Sequence, residues 1–224
     1  MKLMNVCAVV ALLLMSCSSD ELTYSCDKEI DRWVKSNLNE IQQMTRAEWL
    51  GLNRGYAIAT YRAFTPQQKV IFWQEKLAEV KQLPWSEDEL RHIEQVEQFI
   101  NVHHGFFYKE TLTEDENDEI DIFFYKWMQQ GIENYGWDKL VALSIAATGY
   151  KVKNTLGELE LPLNTYAASN ISNSIEPTCD CKTGLLQNAC FFSDETCVEN
   201  DCSYLEDGCG WLLLQSCDGQ CEPN

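Results

Sequence analysis

Eight of the eleven cysteines crowd into the last 46 residues: Cys179, Cys181, Cys190, Cys197, Cys202, Cys209, Cys217 and Cys221. Thiols at this density cross-link, hold a metal or exchange disulfides. Zinc ribbons and redox motifs rest on C-x-x-C pairs. Here the close pairs are Cys179-x-Cys181 and Cys217-x-x-x-Cys221, and no His follows His104. Four disulfides are therefore predicted, with no metal and no cofactor. So short a segment buries too little apolar surface to fold without cross-links, and such bridges persist in an exported protein. Spacing alone leaves all of the roughly 105 connectivities open.

Elsewhere the chemistry is thin. Glu89-x-x-His92 has the helical spacing of a di-iron half-site, but no second such pair exists. A surface His beside a capping Glu is the simpler reading. His103 and His104 are neighbours, so on a helix they diverge by about 100° and do not share one metal. There is no H-E-x-x-H, no phosphate-binding glycine loop and no G-x-S-x-G. Trp33, Trp49, Trp73, Trp127 and Trp137 read as core. No catalytic residues are assigned and no enzyme is expected. Acidic residues number 35 against 17 basic, for a net charge of -18, which argues against a nucleic-acid partner.

The N-terminus sets the compartment. Met1-Lys2 is followed by an apolar run from Leu3 to Met15, too short to span a bilayer and typical of a secretory signal. It ends in Leu14-Met15-Ser16-Cys17, which resembles the bacterial lipobox, so Cys17 is the expected lipidation site and mature N-terminus. Ser18-Ser19-Asp20-Glu21 resembles the acidic signal that sends lipoproteins of the Bacteroidota to the cell surface. Several acyl chains, at about 0.8 kcal/mol per buried methylene, anchor a protein stably. The protein is expected to sit in the outer membrane, held by lipid and exposed at the cell surface. With Cys17 acylated and eight cysteines paired, Cys26 is the candidate free thiol or intermolecular partner.

The elements between these ends read as helices. Ile30, Trp33, Val34, Leu38 and Ile41 form the apolar face of a first helix. Four start signals follow: Thr45-x-x-Glu48, Thr65-Pro66-Gln67-Gln68, Ser86-x-x-Glu89 and Thr113-x-x-Glu116. A shorter helix covers Asp138 to Ala147, and Leu156 to Leu163 contains a short strand. The chain thus divides into a signal (1–16), an acidic tether (17–26), an irregular all-α domain (27–163), a polar linker (164–178) and a disulfide-rich module (179–224). The fold class is mainly α with a small disulfide-rich C-terminal module.

Several stretches carry a family resemblance. Cys179-x-Cys181, Cys202-Ser203-Tyr204, Gly208-Cys209-Gly210, Trp211 and Cys217-Asp218-Gly219 resemble the Cys-rich bacteriocin fulvocin C. Cys26-Asp27, Trp33-Val34, Met44-Thr45-Arg46-x-Glu48-Trp49-Leu50 and Tyr61-Arg62-Ala63-Phe64-Thr65-Pro66 resemble the longer fulvocin C-related lipoproteins of the Bacteroidota. The resemblance implies a bacteriocin-type module on a lipoprotein carrier, acting without catalysis on an envelope receptor of a competing bacterium. The alternative is a surface adhesion or binding lipoprotein with a stapled tip. Residues 179–224 contain nine acids and one Lys, net -8, which excludes a cationic attack on anionic lipid. Phe191, Phe192, Trp211, Leu212, Leu213 and Leu214 are the candidate contact residues; core packing or docking onto the helical domain is the competing role. Release of the C-terminal fragment into the medium is a further alternative, although no dibasic or Gly-Gly site lies between Leu163 and Thr178.

Overall fold

The computed structural model describes residues 22–162, 181–183, 195–199 and 205–223. Cys17, Ser18, Ser19, Asp20, Glu21, Phe191, Phe192, Cys179, Cys190, Cys202 and the 164–178 stretch lie outside them. The fold is mainly α, with a disulfide-bonded C-terminal region. In chain order come α1 (Lys28–Ser36), α2 (Leu38–Ile41), α3 (Arg46–Trp49), α4 (Arg54–Ala63), α5 (Pro66–Val80) and α6 (Glu87–Val102). A 3-10 turn (His104–Tyr108) leads to α7 (Glu114–Tyr135) and α8 (Lys139–Ala146).

All four start signals form capping boxes. Thr45, Thr65, Ser86 and Thr113 each accept the amide of the third helical residue, whose own Glu or Gln side chain accepts the cap's amide in return. Asp27 and Asp138 cap α1 and α8 with the side chain alone. At the other end of α7, Gly136 takes a left-handed turn (φ 70°) that lets Trp137 fold back over Gly131.

Two helices differ from the sequence pattern. The first apolar face is shared by α1 and α2, because Asn37 leaves helical geometry and turns its side-chain amide onto the Trp33 carbonyl at 2.7 Å. The helix opened by Thr45 lasts one turn, and α4 starts afresh where Asn53 caps the Tyr56 amide. Strand structure is slight. β1 (Lys151–Val152) pairs antiparallel with β2 (Leu159–Glu160), and β3 (Glu195–Glu199) with β4 (Gly219–Pro223), Cys197 facing Cys221.

The main core is one cluster, and a smaller one gathers Leu205, Cys209 and Cys217. The main core runs from Val34 and Ile41 through Trp49, Phe72, Trp73, Ile93, Phe124 and Trp127 to α8, whose residues Val141 to Ala146 are all buried. The same cluster includes Trp211, Leu212, Leu213 and Leu214. The C-terminal cysteine-rich region and the helices therefore share a core, although composition separates them.

Candidate functional site

Several residues that the sequence marks as distinctive, Cys209, Trp211 to Leu214 and Cys217, share one loop, 205–217. A 3-10 turn (Trp211–Leu213) forms its tip. The Cys209–Cys217 bridge closes its base, with the two Cα atoms 5.2 Å apart. Paired hydrogen bonds between Cys209 and Gln215, at 3.1 and 3.0 Å, hold the neck. Gly208 and Gly210 take positive φ there, a conformation that any Cβ opposes. Leu212 and Leu213 are also left-handed, both at φ 53°. Two bulky residues in that region cost about 1–2 kcal/mol each, so the surroundings must hold them.

Those surroundings come from three helices, α4, α5 and α7. Trp211 lies flat on Phe124 of α7, with centroids 4.8 Å apart and planes 13° from parallel. Tyr61 of α4 donates its hydroxyl to the Leu212 carbonyl at 3.1 Å and accepts from the Trp73 indole at 3.0 Å. Burial pushes the Tyr61 phenol well above its ordinary pKa. Gln215 is buried. Its side-chain oxygen accepts the Trp211 amide, and its nitrogen donates to Asp121 of α7 at 3.0 Å. Partial burial raises the Asp121 carboxyl, while the Gln215 hydrogen bond opposes the rise. Arg62 donates to the Asp207 carbonyl at 2.8 Å, to the Tyr24 carbonyl at 3.0 Å and to a sulfur of the bridge at 2.9 Å. Lys69 pairs with the Asp207 carboxylate and lies over the Tyr61 ring.

Of the predicted contact residues, Trp211 is 1% exposed and Leu212 fully buried. With Leu213 and Leu214 they fill the helical core, the docking role that stood open beside an exposed contact. The physical reason is local: two left-handed leucines turn the tip inward, where Phe124 and Tyr61 receive it. Cys26 is half-buried and packs against the small cluster that Leu205, Cys209 and Cys217 form. A second bridge, Cys181–Cys197, ties the segment before β3 to that strand, and Cys221 is also disulfide-bonded. Sequence reasoning missed Lys69, Asp121 and Gln215 as docking residues. The Gly208-x-Gly210 pair was the available signal, since it marks a backbone forced into close approach.

Glu89 and His92 play different parts from a half-site. Glu89 belongs to the α6 capping box and accepts the Trp137 indole N-H at 2.9 Å. His92 is buried, not a surface residue: it stacks on Trp127 at 5.3 Å, and its Nε2 lies 2.8 Å from the Trp127 carbonyl. Its ring is apolar enough to pack in this Trp cluster. Burial holds the imidazole below its ordinary pKa of 6.5, so as pH falls the unfolded chain takes up the proton first. Stability present at neutral pH is therefore lost on acidification below about 6.5. His92→Gln is expected to flatten this acid-side decline, measured as urea midpoints at a series of pH values; an unchanged slope would refute the role given to His92.

Two further cations, Arg46 and Lys76, are buried. Buried Arg46 donates twice to the Gly149 carbonyl, at 3.2 and 3.0 Å, and once to Glu79 at 2.6 Å. Lys76, fully buried, donates to the Tyr150 carbonyl, and burial with the nearby Arg46 charge holds its ammonium well below the ordinary pKa. Together they staple the turn after α8 onto α3 and α5. An open groove of about 630 Å³ lies along α6 and α7, lined by Phe99, His103, Asp115, Glu119, Phe123 and Lys126 among others. Phe99 is sandwiched between His103 and Phe123 at 4.4 and 4.3 Å, so it offers no ring face to a ligand. Among the described residues no helix is long and apolar enough to cross a membrane, and no group of three or more His, Cys, Asp or Glu is placed to hold a metal ion. Comparison with protein-family models, with curated proteins and with solved structures finds no match to this chain.

Proposed function

We propose that this protein is a lipid-anchored envelope protein of the outer membrane, exposed at the cell surface, that acts by binding and not by catalysis in antagonism between bacteria. The observation that carries the reading is the disulfide-bonded C-terminal loop with its Gly208-Cys209-Gly210-Trp211 signature, held rigidly on a helical carrier. Formed bridges at Cys181–Cys197 and Cys209–Cys217 suit an exported, oxidising environment. The lipobox-like Leu14-Met15-Ser16-Cys17 supports the anchor, and the fulvocin C-like stretches support antagonism.

One observation favours the second reading, a tethered binding protein without killing activity. The apolar run that would insert into a receptor or bilayer is already occupied by the protein's own core. The test takes intact protein, purified oxidised from producing cells, and applies it to related strains. Growth inhibition supports antagonism; saturable binding without inhibition supports the second reading; neither would overturn both. Feeding cells an alkyne-tagged fatty acid tests the anchor separately. Tagging is expected in the wild type and lost in Cys17→Ala, and an untagged wild type would refute lipidation.

A further inference from the structure

Helix α7 presents two chemically different sides. At about 100° per residue, Asn117, Asp121 and Phe124 share the side that receives the disulfide loop. Asp115, Asp118, Glu119, Ile122 and Lys126 fall on the opposite side as one stripe about 16 Å long. With Phe99 of α6 and His103 just past its end, this stripe lines the open groove between the two helices. Ile122, midway along it, is 54% exposed.

The charge of the stripe is as distinctive as its shape. Acids close by have cations of their own: Lys109 pairs with Glu116, and Lys81 with Glu97 at 2.6 Å. On the stripe, His103 Nε2 lies 3.7 Å from Glu119, and among the described residues no cation stands within ion-pair distance of Asp115 or Asp118. Three carboxylates therefore lead up to an exposed isoleucine, against the single ammonium of Lys126 at the far end. Such a surface is complementary to a helix that presents aliphatic side chains flanked by Lys or Arg. That occupant comes from outside the chain, because Lys2 is the only Lys or Arg in residues 1–21, 163–180, 184–194, 200–204 and 224, which lie outside the described structure.

We propose that the α6–α7 groove binds a cationic amphipathic helix of another protein, with Lys or Arg side chains against Asp115, Asp118 and Glu119 and an aliphatic side chain on Ile122 and Phe123. The favoured direction is antiparallel to α7, since the partner's last turn, where a helix dipole stabilises cations, then meets the acidic start of α7. The groove lies away from the loop side of α7, so it fills while the loop stays docked, and binding there is independent of whether the protein inhibits growth.

The probe is a fluorescein-labelled synthetic peptide of about 14 residues, with leucine at helical spacing and lysine elsewhere, long enough to cover the stripe at about 1.5 Å per residue. A peptide of the same composition in scrambled order is its control. Each is titrated with full-length oxidised protein and followed by fluorescence anisotropy. Saturable binding is expected, about tenfold tighter than for the scrambled peptide. Asp118→Asn combined with Glu119→Gln and Ile122→Ala is expected to weaken it about tenfold, and Asp118→Lys, a single change at an exposed position, to do likewise. Glu94→Gln with Glu133→Gln removes the same charge from exposed positions outside the groove and is expected to leave the affinity within about twofold. No saturable binding, equal binding of the scrambled peptide, or equal weakening by the groove and control variants overturns the inference. A homodimer that forms without peptide and is lost in Asp118→Lys, read by sedimentation velocity, also overturns it, because the occupant is then a second copy of this chain.

Discussion

Trp211→Ala is expected to destabilise the helices, even though position 211 lies in the cysteine-rich tail. The indole is 1% exposed, stacked on Phe124 and part of a cluster that includes Ile120, Val141 and Ile145. Truncating a buried Trp removes its transfer free energy and leaves a cavity that the surrounding helices fill only in part. The expected loss is about 3–5 kcal/mol, read as a lower urea midpoint of the far-ultraviolet helix signal. Ile122→Ala serves as the control, since Ile122 is 54% exposed on the same helix and its loss is expected to stay within about 0.5 kcal/mol. A helical transition unmoved by Trp211→Ala would mean that the loop is a passenger on the bundle.

The second large effect is expected from the double replacement Cys209→Ser with Cys217→Ser. The bridge closes a loop with a sequence separation of 8. Removing it restores unfolded-state entropy worth about 2–3 kcal/mol for a loop this size. Two further costs add in the same direction. Both cysteines are buried, so each serine hydroxyl needs a partner where a sulfur stood. The left-handed Leu212 and Leu213 also lose the closed neck that holds them. The measurement is the urea midpoint of the oxidised variant against wild type, each followed by helix signal and by Trp fluorescence. Coincident shifts of both probes are the expected result; a shift in fluorescence alone would uncouple loop from helices.

Much of the helical part is legible in the sequence because its signals are local. A Thr or Ser followed three residues later by Glu or Gln caps a helix by satisfying amides within one turn, and all four such sites fold that way. What escaped were interruptions set by single polar residues, Asn37 and Asn53, whose side chains bond the backbone of their neighbours. The docking of the tail was illegible for a different reason. Trp211-Leu212-Leu213-Leu214 has no periodicity that separates core from contact, and its partners lie about 90 to 150 residues upstream. His92 reads as exposed because a neighbouring capping Glu places it near a helix start, whereas three aromatic rings enclose it.

The central claim is that the disulfide loop and the helical bundle form one cooperative unit. Native-state hydrogen exchange tests it most directly, on the amides of Cys209 and Gln215 in the loop neck and of Ala147 at the end of α8, each hydrogen-bonded in the fold. The account predicts that all three exchange with the same opening free energy and lose protection together as urea is raised. Exchange at Cys209 and Gln215 through a low-energy local opening, while Ala147 keeps full protection, would contradict it.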